Sequence, residues 1–137
     1  MQSRRKLSNG ELETFPLPKL VGDKRRLTQV LINLIKNAIK FTKQGGSVSV
    51  LASYDLEKQV LTVDVSDTGI GIAPEEFPKL FTRFGKLHRT AKMNSEGIGL
   101  GLTIVKHIVH LNAGDVSVFS GGVDRGTCVT FTMCMQP

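Results

Sequence analysis

From Asp23 to Thr42 the apolar positions recur at helical spacing. Leu27, Val30, Leu31, Leu34, Ile35, Ala38 and Phe41 form one stripe, which predicts a helix with that face on a core. Asp23 is a natural N-cap that sets a carboxylate at the positive helix end, and Gln44-Gly45-Gly46 ends the helix near Thr42. Asn33, Asn37 and Lys40 fall at i, i+4 and i+7 and make a second, polar stripe beside the first.

Period two then replaces the helical period. Val48, Val50, Ala52 and Tyr54 share one strand face, and Leu61, Val63 and Val65 share another, joined by a hairpin loop over Asp55–Gln59. Asp67 keeps the parity of Leu61, Val63 and Val65, so a carboxylate is aimed toward the buried side at a strand end. Such burial is costly unless something hydrogen-bonds to it. Upstream, the prolines of Thr14-Phe15-Pro16-Leu17-Pro18 allow at most a short edge strand.

Pro74-Glu75-Glu76 starts a short helix that reaches Leu80 and Phe81. Thr82 to Ser95 has no clean periodicity and carries Arg83, Lys86, His88, Arg89 and Lys92, as a mobile loop would. A second helix over Leu102–Leu111 has Ile104, Val105, Ile108 and Leu111 on its apolar stripe and ends at Asn112-Ala113-Gly114. Strands are expected over Val116–Ser120 and Thr127–Met135, the latter with Val129, Phe131, Met133 and Met135 on one face, around a turn at Gly121–Gly126. Mixed helices and hairpins predict an α+β fold, one sheet under a helical layer.

Composition narrows the function classes. The 137 residues fit one domain, and 40% hydrophobic with 22% charged content is globular. A net charge of +6 suits an anionic ligand, but much of it sits in Arg4-Arg5-Lys6 and Lys24-Arg25-Arg26. Residues 1–12 read as a frayed or truncated start, leaving 13–137 as the folded domain. The seven phenylalanines and one tyrosine do not interleave with the basic runs, so a nucleic-acid surface is the weaker reading. Cys128 and Cys134 lack metal-ligand spacing and are expected as strand residues of the core in a reducing compartment. No apolar run has the length of a membrane span, and no secretory signal is visible.

Candidate chemistry lies in the polar stripe and the glycines. Amide oxygens are hard ligands suited to Mg²⁺, and a lysine one turn on can meet a phosphate. Gly97-x-Gly99-x-Gly101 is not a dinucleotide fingerprint, and no P-loop occurs. A glycine-rich loop entering a helix still turns free N–H groups and a positive dipole end toward phosphates. Taken singly, the stripe is equally a solvated helix edge and each glycine box equally a structural turn.

The order of these parts is more specific than any one of them. Asn33-Leu34-Ile35-Lys36-Asn37-Ala38-Ile39-Lys40-Phe41-Thr42 resembles the N box of sensor histidine kinase ATP-binding catalytic domains, of the Bergerat-fold superfamily. Asp67-Thr68-Gly69-Ile70-Gly71-Ile72 resembles the first glycine box, Phe81-Thr82-Arg83-Phe84 the F box, and Gly97-Ile98-Gly99-Leu100-Gly101-Leu102 the second glycine box. The resemblance spans about residues 20 to 135. It implies a two-layer α/β sandwich: a mixed, mostly antiparallel sheet of about five strands, about three helices on one face, and a mobile ATP lid over 82–96.

It also implies roles. Asn37 would hold Mg²⁺ with Asn33 assisting, Lys40 would meet a phosphate, and Phe41 would pack near adenine, although its place on the apolar stripe equally suits plain core. Asp67 would accept the adenine amino hydrogen, Gly69, Gly71 and Ile72 would let backbone approach the base, and Thr127 would join Asp67 through water, although a threonine suits a strand anyway. Gly97, Gly99, Leu100, Gly101 and Leu102 would line the phosphates of ATP, or of ADP as product, while Lys86, Arg89 or Lys92 reached the γ-phosphate.

Related hydrolases carry a glutamate at the position of Asn33. An amide has no usable basicity, which favours a kinase that holds ATP for an external nucleophile. The implied acceptor is a histidine on a separate dimerisation domain, with a response-regulator receiver downstream. His88, His107 and His110 lack the context of that acceptor, so this chain alone is expected to show no autophosphorylation; without its partner helices it is expected to be monomeric, and the resemblance implies a cytoplasmic domain, whether or not its parent protein is membrane-anchored. An ATP hydrolase of the same fold, a non-catalytic nucleotide-sensing module and a nucleic-acid binder are the competing readings.

Overall fold

Helix α1, Lys24–Phe41, begins where its cap is supplied. The Asp23 carboxylate accepts the backbone N–H of Arg25 at 3.0 Å and of Arg26 at 3.1 Å, satisfying two donors that the first turn leaves unpaired. At the other end Thr42 leaves helical geometry and Gly45 takes φ +84°, a turn that a side chain would resist. The computed structural model describes residues 2–6, 10–81 and 101–137.

Strands β1, Gln2–Lys6, and β2, Leu12–Pro16, form a two-stranded antiparallel sheet. The start expected to fray therefore contributes a strand. Its sequence has no apolar alternation to announce this; the pairing partner and the Gly10 turn, at φ +86°, supply what the pattern lacks. Strands β3, Val48–Asp55, β4, Val60–Asp67, β5, Val116–Phe119, and β6, Thr127–Cys134, form the main sheet in the order β3-β4-β6-β5. Every pairing in it is antiparallel. The sheet thus has four described strands rather than about five, and it is not mixed, because β2 pairs with β1 instead of joining it.

Helix α2, Gly101–Leu111, packs beside α1 on one face of this sheet. The segment expected as a short helix through Phe81 is a 3-10 helix over Pro74–Lys79, with Pro78 inside it removing a donor. Val30, Leu34 and Ala38 of α1 and Val105, Ile108 and Val109 of α2 bury against Tyr54, Leu61, Val63, Val65, Phe131 and Met133. Each fully buried Leu, Val or Phe contributes about 1.5–3 kcal/mol relative to exposure. Val109, one helical turn beyond Val105, takes the stripe position expected of Leu111, which is 72% exposed. The two cysteines also depart from expectation: Cys134 is exposed and Cys128 half-buried. Both have the opposite parity to Phe131 and Met133, so they lie on the sheet face away from the helices.

The Tyr54 hydroxyl donates to the Met135 carbonyl at 2.5 Å, and the Val21 N–H donates to the Gln136 carbonyl at 2.7 Å. Among the described residues no helix is long and apolar enough to cross a membrane.

Candidate functional site

Asp67 is the last residue of β4, paired with Val48 of β3 on one side and Thr127 of β6 on the other. Paired residues of antiparallel strands present side chains to the same face, so Asp67 and Thr127 share the helix-covered side, at its rim. Both are half-buried. Burial pushes the Asp67 carboxyl above the usual carboxylate range, and the backbone N–H groups of Gly69 and Thr127 offset this only in part. The Gly69 N–H lies 2.8 Å from Asp67 Oδ1.

The chain after Asp67 is held on two sides. Ile70 donates its N–H to the carbonyl of Phe41, the last residue of α1, at 3.1 Å. A Cβ on Gly69 would run into that same carbonyl, so the helix end and the loop approach as closely as backbone allows. Gly71 has φ +66°, and a Cβ there would meet the Gly122 carbonyl. From the β5–β6 turn, Asp124 donates its N–H to the Ile70 carbonyl at 2.8 Å and Gly126 donates to the Gly69 carbonyl at 3.2 Å. Ser120 Oγ accepts the Ile72 N–H at 3.0 Å. An exposed ion pair, Lys43 to Asp124 at 2.8 Å, closes the outside.

These contacts join Asp67, Gly69, Gly71, Ile72, Thr127 and the Phe41 backbone into one constellation. Ile72 is buried and the Phe41 side chain half-buried. Asn33, Asn37 and Lys40 occupy the two turns of α1 that lead to Phe41, each half-buried at the edge of the apolar stripe. Neither the Asn33 nor the Asn37 amide is hydrogen-bonded to another described residue, whereas Lys40 is engaged. Two half-buried amides with unspent oxygens fit a hard cation or its water shell.

Gly101 opens α2, and Leu102 packs against the core. Phe81 is tied to α2: Thr103 Oγ1 donates to its carbonyl at 3.3 Å and Lys106 Nζ sits 5.3 Å from its ring centroid. Lys86, Arg89, Lys92, Gly97, Gly99, Leu100, the expected lid over 82–96 and Phe84 of the F-box resemblance lie outside the described residues.

Sequence reasoning did not find Ser120, Gly126 or the Phe41 carbonyl. Gly121–Gly126 carried a turn signal only. A backbone carbonyl at a helix end has no signature beyond the position of the helix stop.

Comparison with known proteins follows the same outline. The family described as histidine kinase-, DNA gyrase B-, and HSP90-like ATPase matches residues 22–137. An uncharacterised sensor-like histidine kinase of Rhizobium meliloti (strain 1021) is 45% identical over 120 residues. That match takes in 88% of this chain but only 22% of the relative. Among solved structures, the mycobacterial sensor histidine kinase MprB superposes with TM-score 0.71 at 29% identity, over 86% of this chain and 76% of that one. Full-length ShkA in complex with AMPPNP superposes with TM-score 0.70 at 31% identity, over 88% of this chain and 24% of that one. The chain belongs to the histidine kinase-, DNA gyrase B- and HSP90-like ATPase family, in which its relatives of similar sequence and fold are sensor histidine kinases.

Proposed function

We propose that residues 13–137 are a catalytic domain that binds Mg-ATP and presents its γ-phosphoryl group to a histidine on a separate dimerisation domain, with a receiver domain downstream and in the cytoplasm. The observation that carries this reading is the half-buried Asp67 carboxylate, poised at a strand end opposite Thr127 beside a glycine that leaves backbone, not side chain, against it. Such a carboxylate selects a ligand that offers it a hydrogen-bond donor, as the amino group of adenine does. The AMPPNP complex of ShkA, whose fold this chain shares, supports a nucleotide as that ligand.

In this reading Asn37 and Asn33 would hold Mg²⁺, whose charge would neutralise the phosphates. Lys40, one turn along the same helix, would meet a phosphate oxygen. Phe41 would pack near the base, Gly101 and Leu102 at the start of α2 would meet the phosphates, and the same role is proposed for Gly97, Gly99 and Leu100. Lys86 and Arg89 supply charge from the lid. Asn33 has no basicity, so water is not activated and the phosphoryl group is kept for the histidine.

The test is a titration of a fluorescent ATP analogue into the wild-type domain and Asp67→Asn, with and without Mg²⁺. Competition by ATP and ADP that the substitution abolishes is expected; no binding at millimolar nucleotide overturns the reading. Adding the parent protein's dimerisation domain with radiolabelled ATP should then label its histidine. Binding without that transfer would leave a nucleotide-sensing module.

A further inference from the structure

We propose that Ser120 is a positioning residue for adenine recognition, bracing with a single hydroxyl the loop that leaves Asp67 against the turn that enters Thr127. The inference rests on the nucleotide-binding reading above and adds a residue to it.

Ser120 follows β5 directly, and its Oγ stands among backbone groups of two segments, the loop after β4 and the β5–β6 turn. It donates to the Gly126 carbonyl at 2.7 Å, with the Gly122 carbonyl at 3.2 Å as a second acceptor. It accepts the N–H of Ile72 at 3.0 Å and of Gly122 at 3.3 Å. A hydroxyl has one proton and two lone pairs, so this set uses all of its capacity.

Two of these partners decide what the hydroxyl controls. Ile72 is 7% exposed and closes the loop that starts at Asp67, so its N–H has little access to water. Gly126 directly precedes Thr127 in the chain, and at φ +71° it lies so near Asp67 that a Cβ on it would strike the Asp67 carbonyl. Ser120 therefore grips the exit of one recognition segment and the entrance of the other. Without the hydroxyl the Ile72 N–H and the Gly126 carbonyl lose a shared anchor, and the far end of the Asp67 loop is held to the β5–β6 turn only by the Asp124 and Gly126 N–H bonds. The expected injury is to the placement of the carboxylate rather than to phosphate contacts, because Ser120 touches no part of α1 or α2 in this network.

The experiment compares ADP with the diphosphate of unsubstituted purine riboside, which lacks the adenine amino group, on wild type, Ser120→Ala and Ser120→Thr by calorimetry. Each Kd is read with its stoichiometry, so loss of folded molecules changes the stoichiometry and leaves the ratio of the two affinities alone. Wild type should favour ADP, Ser120→Ala should lose about tenfold of that preference, a displaced hydrogen bond's worth, and Ser120→Thr, which keeps the hydroxyl, should retain it. An unchanged ratio in Ser120→Ala overturns the proposal. Failure of wild type to bind either nucleotide overturns the underlying reading instead. If Ser120→Ala does not fold, amide exchange on wild type decides: the Ile72 N–H should exchange slowly, and free exchange overturns the anchor.

Discussion

Asp67 couples two properties that one substitution separates. The folded state holds its proton more tightly than the unfolded chain does, because burial raises its pKa. Its contribution to stability is present below the ordinary carboxylate value and is lost as pH rises through the raised one. The nucleotide-free domain should therefore melt at lower temperature as pH climbs through that window, and Asp67→Asn should flatten the dependence while abolishing nucleotide binding. Thermal unfolding at a series of pH values, with wild type and variant side by side, checks both. Gly69→Ala tests a different property, since its Cβ would meet the Phe41 carbonyl. Overpacking of this kind costs about 1–3 kcal/mol, measurable by urea unfolding. At this scale the sequence was informative about Asp67, because strand parity alone aimed its carboxylate inward. It was silent on Ser120, because a serine among glycines is what any turn would use.

Helix α1 carries both an apolar stripe and an amide stripe, and the two answer to separate tests. Asp23→Ala removes the side chain that caps it and should cost about 0.5–2 kcal/mol in chemical denaturation, with nucleotide contacts intact. Asn37→Ala should leave the fold unchanged and remove the Mg²⁺-dependent part of ATP affinity, leaving ADP binding in the absence of Mg²⁺ as it was; equal Mg²⁺ sensitivity in both proteins would count against Asn37 as a ligand. The elements were legible wherever one period ran long enough. Eighteen residues of helical spacing and two alternating strands announced themselves. Where the signal was short it misled. Leu111 lies at the last residue of α2, past the point where the helix still faces the sheet. Cys134 occupies the outward parity of β6, which its hydrophobic reputation concealed.

For the molecule as a whole, order of motifs conveyed more than any composition could, since a +6 charge alone was compatible with several partners. The β1–β2 pairing was beyond reach, because it depends on two segments finding each other without an apolar pattern to mark the first. One feature of the fold extends past the site. Val21 and Gln136 pair as an isolated antiparallel bridge, so the backbone enters and leaves the body of the domain side by side. A circular permutant of residues 21–136, closed by a short glycine linker there and opened at Glu57-Lys58, should bind nucleotide as its linear counterpart does. In a longer polypeptide the same adjacency hangs the body from one point, whichever side the tether comes from. Each residue added to that tether widens its sweep by at most about 3.6 Å, and the effective concentration of the site around any phosphoacceptor falls as the tether grows beyond the span it must bridge.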